Sequence, residues 1–303
     1  MKNKILALLA TLGLVASASA VEINENLSIN GFIDGSYADQ DSATEQIGID
    51  EVELNVIVNA GSVSGELHVD TEDADSDSGL SIEQVHFTYT MDNGLSVTFG
   101  RYGSALGLER EDPAGLYTFS RAYNDAFNFG NVDAFSREGV ALGYSTGDLS
   151  LGLSIDQEND ENLNNEDINF EISASYTGIE NLSLNVGWRT ESDDAGDADY
   201  TNINATYSVG KALLAAEWSN IDNEATGNDD DAYLILVDYD FTDVLGGAIR
   251  YSEYEDGANE VEMFTIAPNY ALTDSLGVIL EYSDIENAGV DDDLLAVELT
   301  YTF

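Results

Sequence analysis

The sequence predicts an all-β fold: a transmembrane, up-and-down antiparallel β-barrel of about sixteen strands, with a long inward-folding third external loop. Three observations predict it. Polar and apolar residues alternate along segment after segment. In the last one Leu295, Val297, Leu299, Tyr301 and Phe303 share one parity, and Ala296, Glu298, Thr300 and Thr302 the other. Successive strand side chains point to opposite faces, so each segment has an oily face and a wet face. The connections alternate between tight turns and longer acidic loops, the pattern of barrels with short turns on one side of a membrane. The chain also opens as an exported precursor does, with Lys2 and Lys4, an apolar run over 5–15, and Ala16-Ser17-Ala18-Ser19-Ala20.

Taken in order, residues 1–20 read as a signal peptide and 21–303 as one barrel domain. The first apolar run is too short for a helical span, and no later run reaches about 18 apolar residues. About ten alternating residues suffice for a tilted membrane strand. Strands are predicted over 27–38, 50–58, 63–70, 82–91, 95–102, 136–145, 149–156, 168–176, 182–190, 200–209, 212–221, 232–241, 244–254, 260–270, 276–283 and 294–303. Tight turns fall at Ala60-Gly61, Asp92-Asn93-Gly94, Thr146-Gly147-Asp148, 178–181, Val209-Gly210-Lys211, Thr242-Asp243 and 272–274, rich in the residues tight hairpins need. The longer loops cover 40–48, 71–79, 157–167, 191–199, 222–230 and 284–291, mostly acidic. With both ends of the barrel on the periplasmic side, every long loop lies outside. A secreted β-sandwich is the competing architecture, but it requires neither this alternation of loops nor an apolar exterior on each strand.

Composition agrees. With 27 glycines, 16 tyrosines and 2 prolines, the chain favours strands joined by turns. The formal net charge of −50 becomes more negative once Lys2 and Lys4 are removed. Such a chain has no basic footprint for nucleic acid and none for an anionic inner leaflet. It has no cysteine, so a core or a closed sheet must hold it together. Trp188, Trp218, Tyr176, Tyr207, Tyr239, Tyr251, Tyr270, Tyr282 and Tyr301 lie on the apolar faces, many near strand ends, as interfacial rings do.

About sixteen strands enclose a space too wide for side chains to fill, so a water-filled diffusion channel for small hydrophilic solutes is expected. The segment 103–135 is long yet apolar, with Leu106, Leu108, Leu116, Phe119, Phe127 and Phe129, and is predicted to fold into the lumen. Gly139, Ala141 and Gly143 on the next strand would leave room for it. Arg110 and Arg121 lie in that loop; Arg137, Arg189 and Arg250 face inward by parity, and the face of Arg101 is ambiguous. The predicted constriction is Glu109, Arg110, Glu111, Asp112, Arg121, Arg137, Arg189 and Arg250, where opposed charges would orient and filter solutes. An equal second reading has these arginines neutralise nearby acids and brace the wall. Charge reversal of Arg137 or Arg189 is expected to raise cation selectivity on the first reading. Inward Glu51, Glu53, Glu66, Asp70, Glu171, Glu217, Asp238, Glu281 and Glu298 predict a cation preference.

Catalysis is not expected. No Gly-x-Ser-x-Gly elbow leading from a strand into a helix and no His-Glu-x-x-His helix is present; Gly143-Tyr144-Ser145-Thr146-Gly147 has the first spacing but runs from a predicted strand into a tight turn. His68 and His86 face the lumen on adjacent strands, nearly opposite each other. With Glu66 or Asp70 they offer a weak metal or proton site, but plain wall histidines are the simpler reading. Asp73-x-Asp75-x-Asp77 begins like a calcium loop but places Ser78 at the glycine position and Gln84 at the final ligand. No metal or cofactor is therefore assigned. The acidic loops read as solvated surface, with divalent bridging to lipopolysaccharide as the alternative.

The stretch Phe99-Gly100-Arg101-Tyr102-Gly103-Ser104-Ala105-Leu106-Gly107-Leu108-Glu109, followed by Asp112-Pro113 and Tyr117-Thr118-Phe119-Ser120-Arg121-Ala122-Tyr123, is similar to the beta-barrel porin-2 family of Gram-negative outer-membrane porins. The resemblance implies passive uptake of small hydrophilic solutes across the outer membrane. The third loop also resembles the constriction loop of trimeric porins, implying a homotrimer, although the Pro-Glu-Phe-Gly-Gly motif of that group is absent. The terminal Tyr301 and Phe303 resemble the assembly signal of outer-membrane barrels, implying the barrel-assembly machinery, outer-membrane lipid and lipopolysaccharide as partners. A non-conducting structural or adhesive barrel, or a solute-specific channel, stands as the alternative.

Overall fold

The computed structural model describes residues 20–71, 79–109, 112–124, 127, 137–158, 168–192, 196–257 and 259–303. Among these run β1 (Val21–Asn24), β2 (Leu27–Gln40), β3 (Gln46–Ala60), β4 (Val63–Asp70), β5 (Ser81–Thr90), β6 (Leu95–Tyr102), β7 (Arg137–Thr146), β8 (Leu149–Glu158) and β9 (Asn169–Ile179). They continue as β10 (Leu182–Glu191), β11 (Ala198–Val209), β12 (Ala212–Asn223), β13 (Asn228–Asp240), β14 (Leu245–Asp256), β15 (Asn259–Thr273), β16 (Leu276–Asn287) and β17 (Val290–Thr302).

The strands from β2 to β17 match the predicted set one for one, and each pairs antiparallel with its sequence neighbour. The barrel closes where β17 pairs with β2, from Leu294↔Gln40 to Thr302↔Phe32. Phe303 and Gly31 then exchange two backbone hydrogen bonds of 3.1 Å. Closure leaves no row of unpaired backbone groups, the condition for crossing lipid with strands. The short β1 was not foreseen. It pairs with Leu27–Ile29 of β2, on the edge that β17 uses further along.

Burial is inverted relative to a water-soluble protein. The fully enclosed side chains include Asp34, Glu53, Asp70, Arg189, Arg250 and Glu281, whereas Phe87, Phe99, Ile172, Ile235 and Leu295 are exposed. The apolar parity therefore faces outward, as it must where lipid is the solvent. From β5 to β17 every odd-numbered strand carries an outward tyrosine near its end: Tyr89, Tyr144, Tyr176, Tyr207, Tyr239, Tyr270 and Tyr301, each between 40% and 47% exposed. They ring the rim of the short turns. Toward the opposite rim, Trp218 Nε1 donates to Asp231 Oδ1 at 3.0 Å and Tyr282 Oη to Asp293 Oδ1 at 2.8 Å. Rings with an apolar body and a hydrogen-bonded tip suit a membrane interface.

Two features depart from the expected layout. The segment predicted as a loop at 284–291 is mostly strand: β16 and β17 run on to a two-residue turn, Ala288-Gly289, with φ of 52° and 79°. Likewise β12 and β13 leave only 224–227 as a turn. Acidic composition marked these residues as wet, but a wet residue still pairs in a ladder that rises above the lipid. The second departure is a bulge in β5. His68 pairs with Gln84 and Val69 with Ile82, so Glu83 is the extra residue. Alternation counted from His86 would turn Glu83 toward lipid; instead it is buried, while Ile82 points outward, 48% exposed. A bulge re-aims side chains in this way.

Candidate functional site

The loop between β6 and β7 enters the barrel. Its described part begins at β9, where Ser104 Oγ donates to Glu171 Oε2 at 2.7 Å and the Ala105 amide to Glu171 Oε1 at 2.8 Å. Leu106 then packs with Phe127 against Ile221 and Ala232, and Leu108 and Ala122 against Ala215, Leu234 and Leu236. Phe119 packs on Val261, Ile285 and Leu294. Tyr123, Phe127 and Tyr254 form an aromatic triad with centroids 6.0–6.2 Å apart. A 3-10 turn at Pro113–Gly115 reaches β17 and β2. The predicted apolar face of the loop thus meets an apolar strip of lumen wall on β12 to β17. Each enclosed leucine contributes about 1.5–3 kcal/mol to holding it there.

Polar anchors fix the register of the loop. Arg250, fully enclosed, contacts Glu109 Oε1 at 2.8 Å, Thr118 Oγ1 at 2.7 Å, the Ser120 carbonyl at 2.6 Å and Ser120 Oγ at 2.8 Å. The Ser120 amide donates to Glu281 Oε2 at 3.1 Å. Within the loop, Arg121 Nη1 donates to the Glu109 carbonyl at 2.8 Å and the Ala122 amide to Glu109 Oε2 at 2.7 Å. Burial pushes the Tyr123 hydroxyl well above its usual range, with Glu217 and Glu109 adding to the shift. Asp112 approaches the wall of β3, its carboxylate within 4.8 Å of those of Glu51 and Glu53. Burial, and then the charges of Glu53 and Glu83, push the Asp112 carboxyl up.

Of the predicted constriction residues, the structure gathers Glu109, Arg121 and Arg250 at one anchor. Asp112 stands apart, toward β3. Arg110 and Glu111 lie outside the described residues, as do Phe129 and the calcium-like run from Asp73 to Asp77. Arg137 and Arg189 form a different group: Arg137 pairs with Glu171, and Arg189 holds Asp156 through two contacts of 2.8 and 3.2 Å and Glu191 at 2.6 Å. Both are 2% exposed, so they brace the wall of β7 to β10 rather than project into open lumen. Arg101, ambiguous in sequence, lies on the outer face, bonded to Glu138 at 2.9 Å and to the Ile82 carbonyl at 2.6 Å.

The small residues of β7 serve neighbours other than the loop. A Cβ on Gly139 would strike the Ile155 carbonyl at 2.3 Å and Asp156 Cβ at 2.7 Å, and one on Gly143 would strike Ser96 Oγ at 2.5 Å. The loop approaches at Gly187 instead, where a Cβ would stand 2.6 Å from Leu106 Cδ1. Gly187 lies on the same parity as Arg189, which is the sequence signal that could have located it.

The two histidines are diagonal, not opposite. His86 pairs with Glu66 and His68 with Gln84. His68 Nε2 lies 3.3 Å and His86 Nε2 3.9 Å from Glu66 Oε2, so one carboxylate serves both rings.

The barrel resembles solved outer-membrane proteins. The outer membrane channel DcaP of Acinetobacter baumannii matches with a TM-score of 0.70 at 15% identity, over 94% of this chain and 99% of that one. The anion-selective porin of Comamonas acidovorans matches with a TM-score of 0.68 at 14% identity, over 91% and 99%. The trimer form of OmpT, an outer membrane protein of Vibrio cholerae, matches with a TM-score of 0.68 at 14% identity, over 91% and 99%. At these identities the likeness concerns the fold. No curated protein matches the chain by sequence. Residues 6–290 match the Gram-negative porin family.

Proposed function

The chain belongs to the Gram-negative porin family, an outer-membrane channel by that membership, and from this premise we propose a passive, cation-preferring pore for small hydrophilic solutes. One observation carries the cation preference. The strands β3 to β5 present Glu51, Glu53, Glu66, Asp70 and Glu83 without an arginine or lysine among their residues, while inward Arg137, Arg189 and Arg250 each meet a carboxylate. A mobile cation passing this wall meets five carboxylates on strands whose only basic side chains are His68 and His86, and a confined, low-dielectric gap strengthens the attraction. The inserted loop, with Glu109, Asp112 and Arg121, sets the constriction, and its neighbours Arg110 and Glu111 belong to the same segment. Residues 1–20 act as the export signal, and Phe303 presents the barrel to the assembly machinery, with outer-membrane lipid and lipopolysaccharide around the finished wall. Assembly as a homotrimer, the state named for the Vibrio cholerae protein, goes with this reading. The chemistry is passage of solutes, not catalysis.

The reversal potential of the refolded chain in a planar bilayer under a potassium chloride gradient tests the preference. A sign corresponding to cation flow is expected; a clear anion preference refutes it, and absence of conductance leaves a structural barrel.

A further inference from the structure

We propose that Glu53, His68 and Glu83 form a binding site for one divalent transition-metal ion in the lumen wall. Their ligand atoms all lie within 4.8 Å of one another. His68 Nδ1 stands 3.1 Å from Glu53 Oε1 and 3.7 Å from Glu83 Oε2. Two donors on a tetrahedral zinc ion, each about 2.0–2.2 Å from the metal, are roughly 3.4 Å apart. The two observed separations straddle that edge.

A second observation points to a cation site. Glu53 is fully enclosed and Glu83 6% exposed, yet among the described residues their carboxylates share a single basic side chain, His68, whose Nδ1 they meet at 3.1 and 3.7 Å. Enclosed carboxylates that outnumber the basic groups beside them are costly unless a further counter-charge meets them. The histidine is oriented for that role. With Nδ1 directed at the two carboxylates, Nε2 faces Glu66 Oε2 at 3.3 Å. Metal-binding imidazoles present one nitrogen to the ion and donate the other N–H to such a carboxylate, which fixes the tautomer. The β5 bulge supplies the third ligand by turning Glu83 inward beside Gln84.

The donor set selects the class of ion. Calcium and magnesium take oxygen ligands; an imidazole with carboxylates suits zinc, manganese, cobalt or nickel. Asp112 of the inserted loop lies within 4.8 Å of Glu53, so a bound ion would also lower the repulsion between loop and wall.

The test is calorimetric titration of zinc chloride into the refolded full-length chain in detergent, after chelator treatment. One saturable site per chain is expected, at least tenfold weaker in Glu53→Gln, His68→Gln and Glu83→Gln, unchanged in the exposed Asp229→Asn, and not displaced by equimolar calcium. Cobalt(II) added to the unmutated chain provides a reading that needs no variant: visible absorption of a four- or five-coordinate ion, abolished by zinc, is expected. No saturable zinc binding would mean that a doubly protonated His68 meets the carboxylates alone, and the proposal falls. Binding untouched by all three substitutions, or a cobalt spectrum of a purely octahedral ion, would place the metal on the acidic rim and overturn it equally.

Discussion

Arg250 Nη1 on β14 stands 2.8 Å from Glu109 Oε1, in the loop that follows β6, across 141 residues of chain. The guanidinium is fully enclosed and the Glu109 side chain 11% exposed. This pair, with the Thr118 and Ser120 contacts of the same arginine, ties the inserted loop to the far wall of the barrel. Removing one partner of a buried pair strands the other charge, at about 3–5 kcal/mol.

Arg250→Met should therefore release the loop. Single-channel recording is expected to show larger or noisier conductance, and the thermal unfolding midpoint should fall. Conductance and midpoint both equal to those of the parent would deny Arg250 its anchoring role.

Leu106 and Gly187 are matched in the same way. Leu106 is 1% exposed, and a Cβ at Gly187 would meet its Cδ1 at 2.6 Å and Cγ at 2.9 Å. Leu106→Ala should weaken docking by about 2–5 kcal/mol, read as faster cleavage of the loop by added protease. Gly187→Ala should speed cleavage too. The double variant should lose less than the two single losses together, because the truncated side chain no longer meets the new methyl. Strict additivity would show that the two positions do not touch in solution.

By parity Arg189 faces the lumen, where it can line the eyelet, brace the wall, or do both. Its enclosure and its contacts to Asp156 and Glu191 favour bracing. Arg189→Met should lower stability toward denaturant by about 3–5 kcal/mol while the reversal potential stays where it was. A shifted reversal potential with full stability would return Arg189 to the conducting path.

Phe303 does two things that can be separated. Its backbone closes the barrel against Gly31, and its ring stacks with Tyr301 at 6.1 Å. Deleting Phe303 removes two hydrogen bonds worth about 0.5–1.5 kcal/mol each, and the fraction that refolds in detergent, read by heat-modifiable migration, should drop. Phe303→Ala keeps those bonds. It should refold in detergent yet accumulate poorly in the outer membrane if the assembly machinery reads the ring. Normal accumulation would remove the ring from that recognition.

The barrel was legible because its signal is local. Alternation with a period of two needs no knowledge of a partner: Leu295 and Glu298 declare their faces within one strand, and lipid outside with water inside makes the two faces chemically opposite. The apolar content of Leu106, Leu108 and Phe119 also declared that their loop is buried. Where it docks was not legible, since the strip formed by Ala215, Ile221, Leu234 and Leu236 comes from strands more than a hundred residues away and looks, in sequence, like ordinary alternation. Arg137, Arg189 and Arg250 had the correct face, but their exposure depended on partners that three-dimensional packing supplied.

The amino-acid order by itself determined the strand set, the sidedness of each strand and the presence of an inserted loop, because each follows from the chemistry of neighbouring residues in one extended segment. Tertiary structure alone decided which wall receives the loop, that Arg101 faces outward, and that Glu83 turns in toward His68. Those outcomes depend on register between strands, and a single extra residue, set by how β5 pairs with β4, reverses the face that alternation assigns.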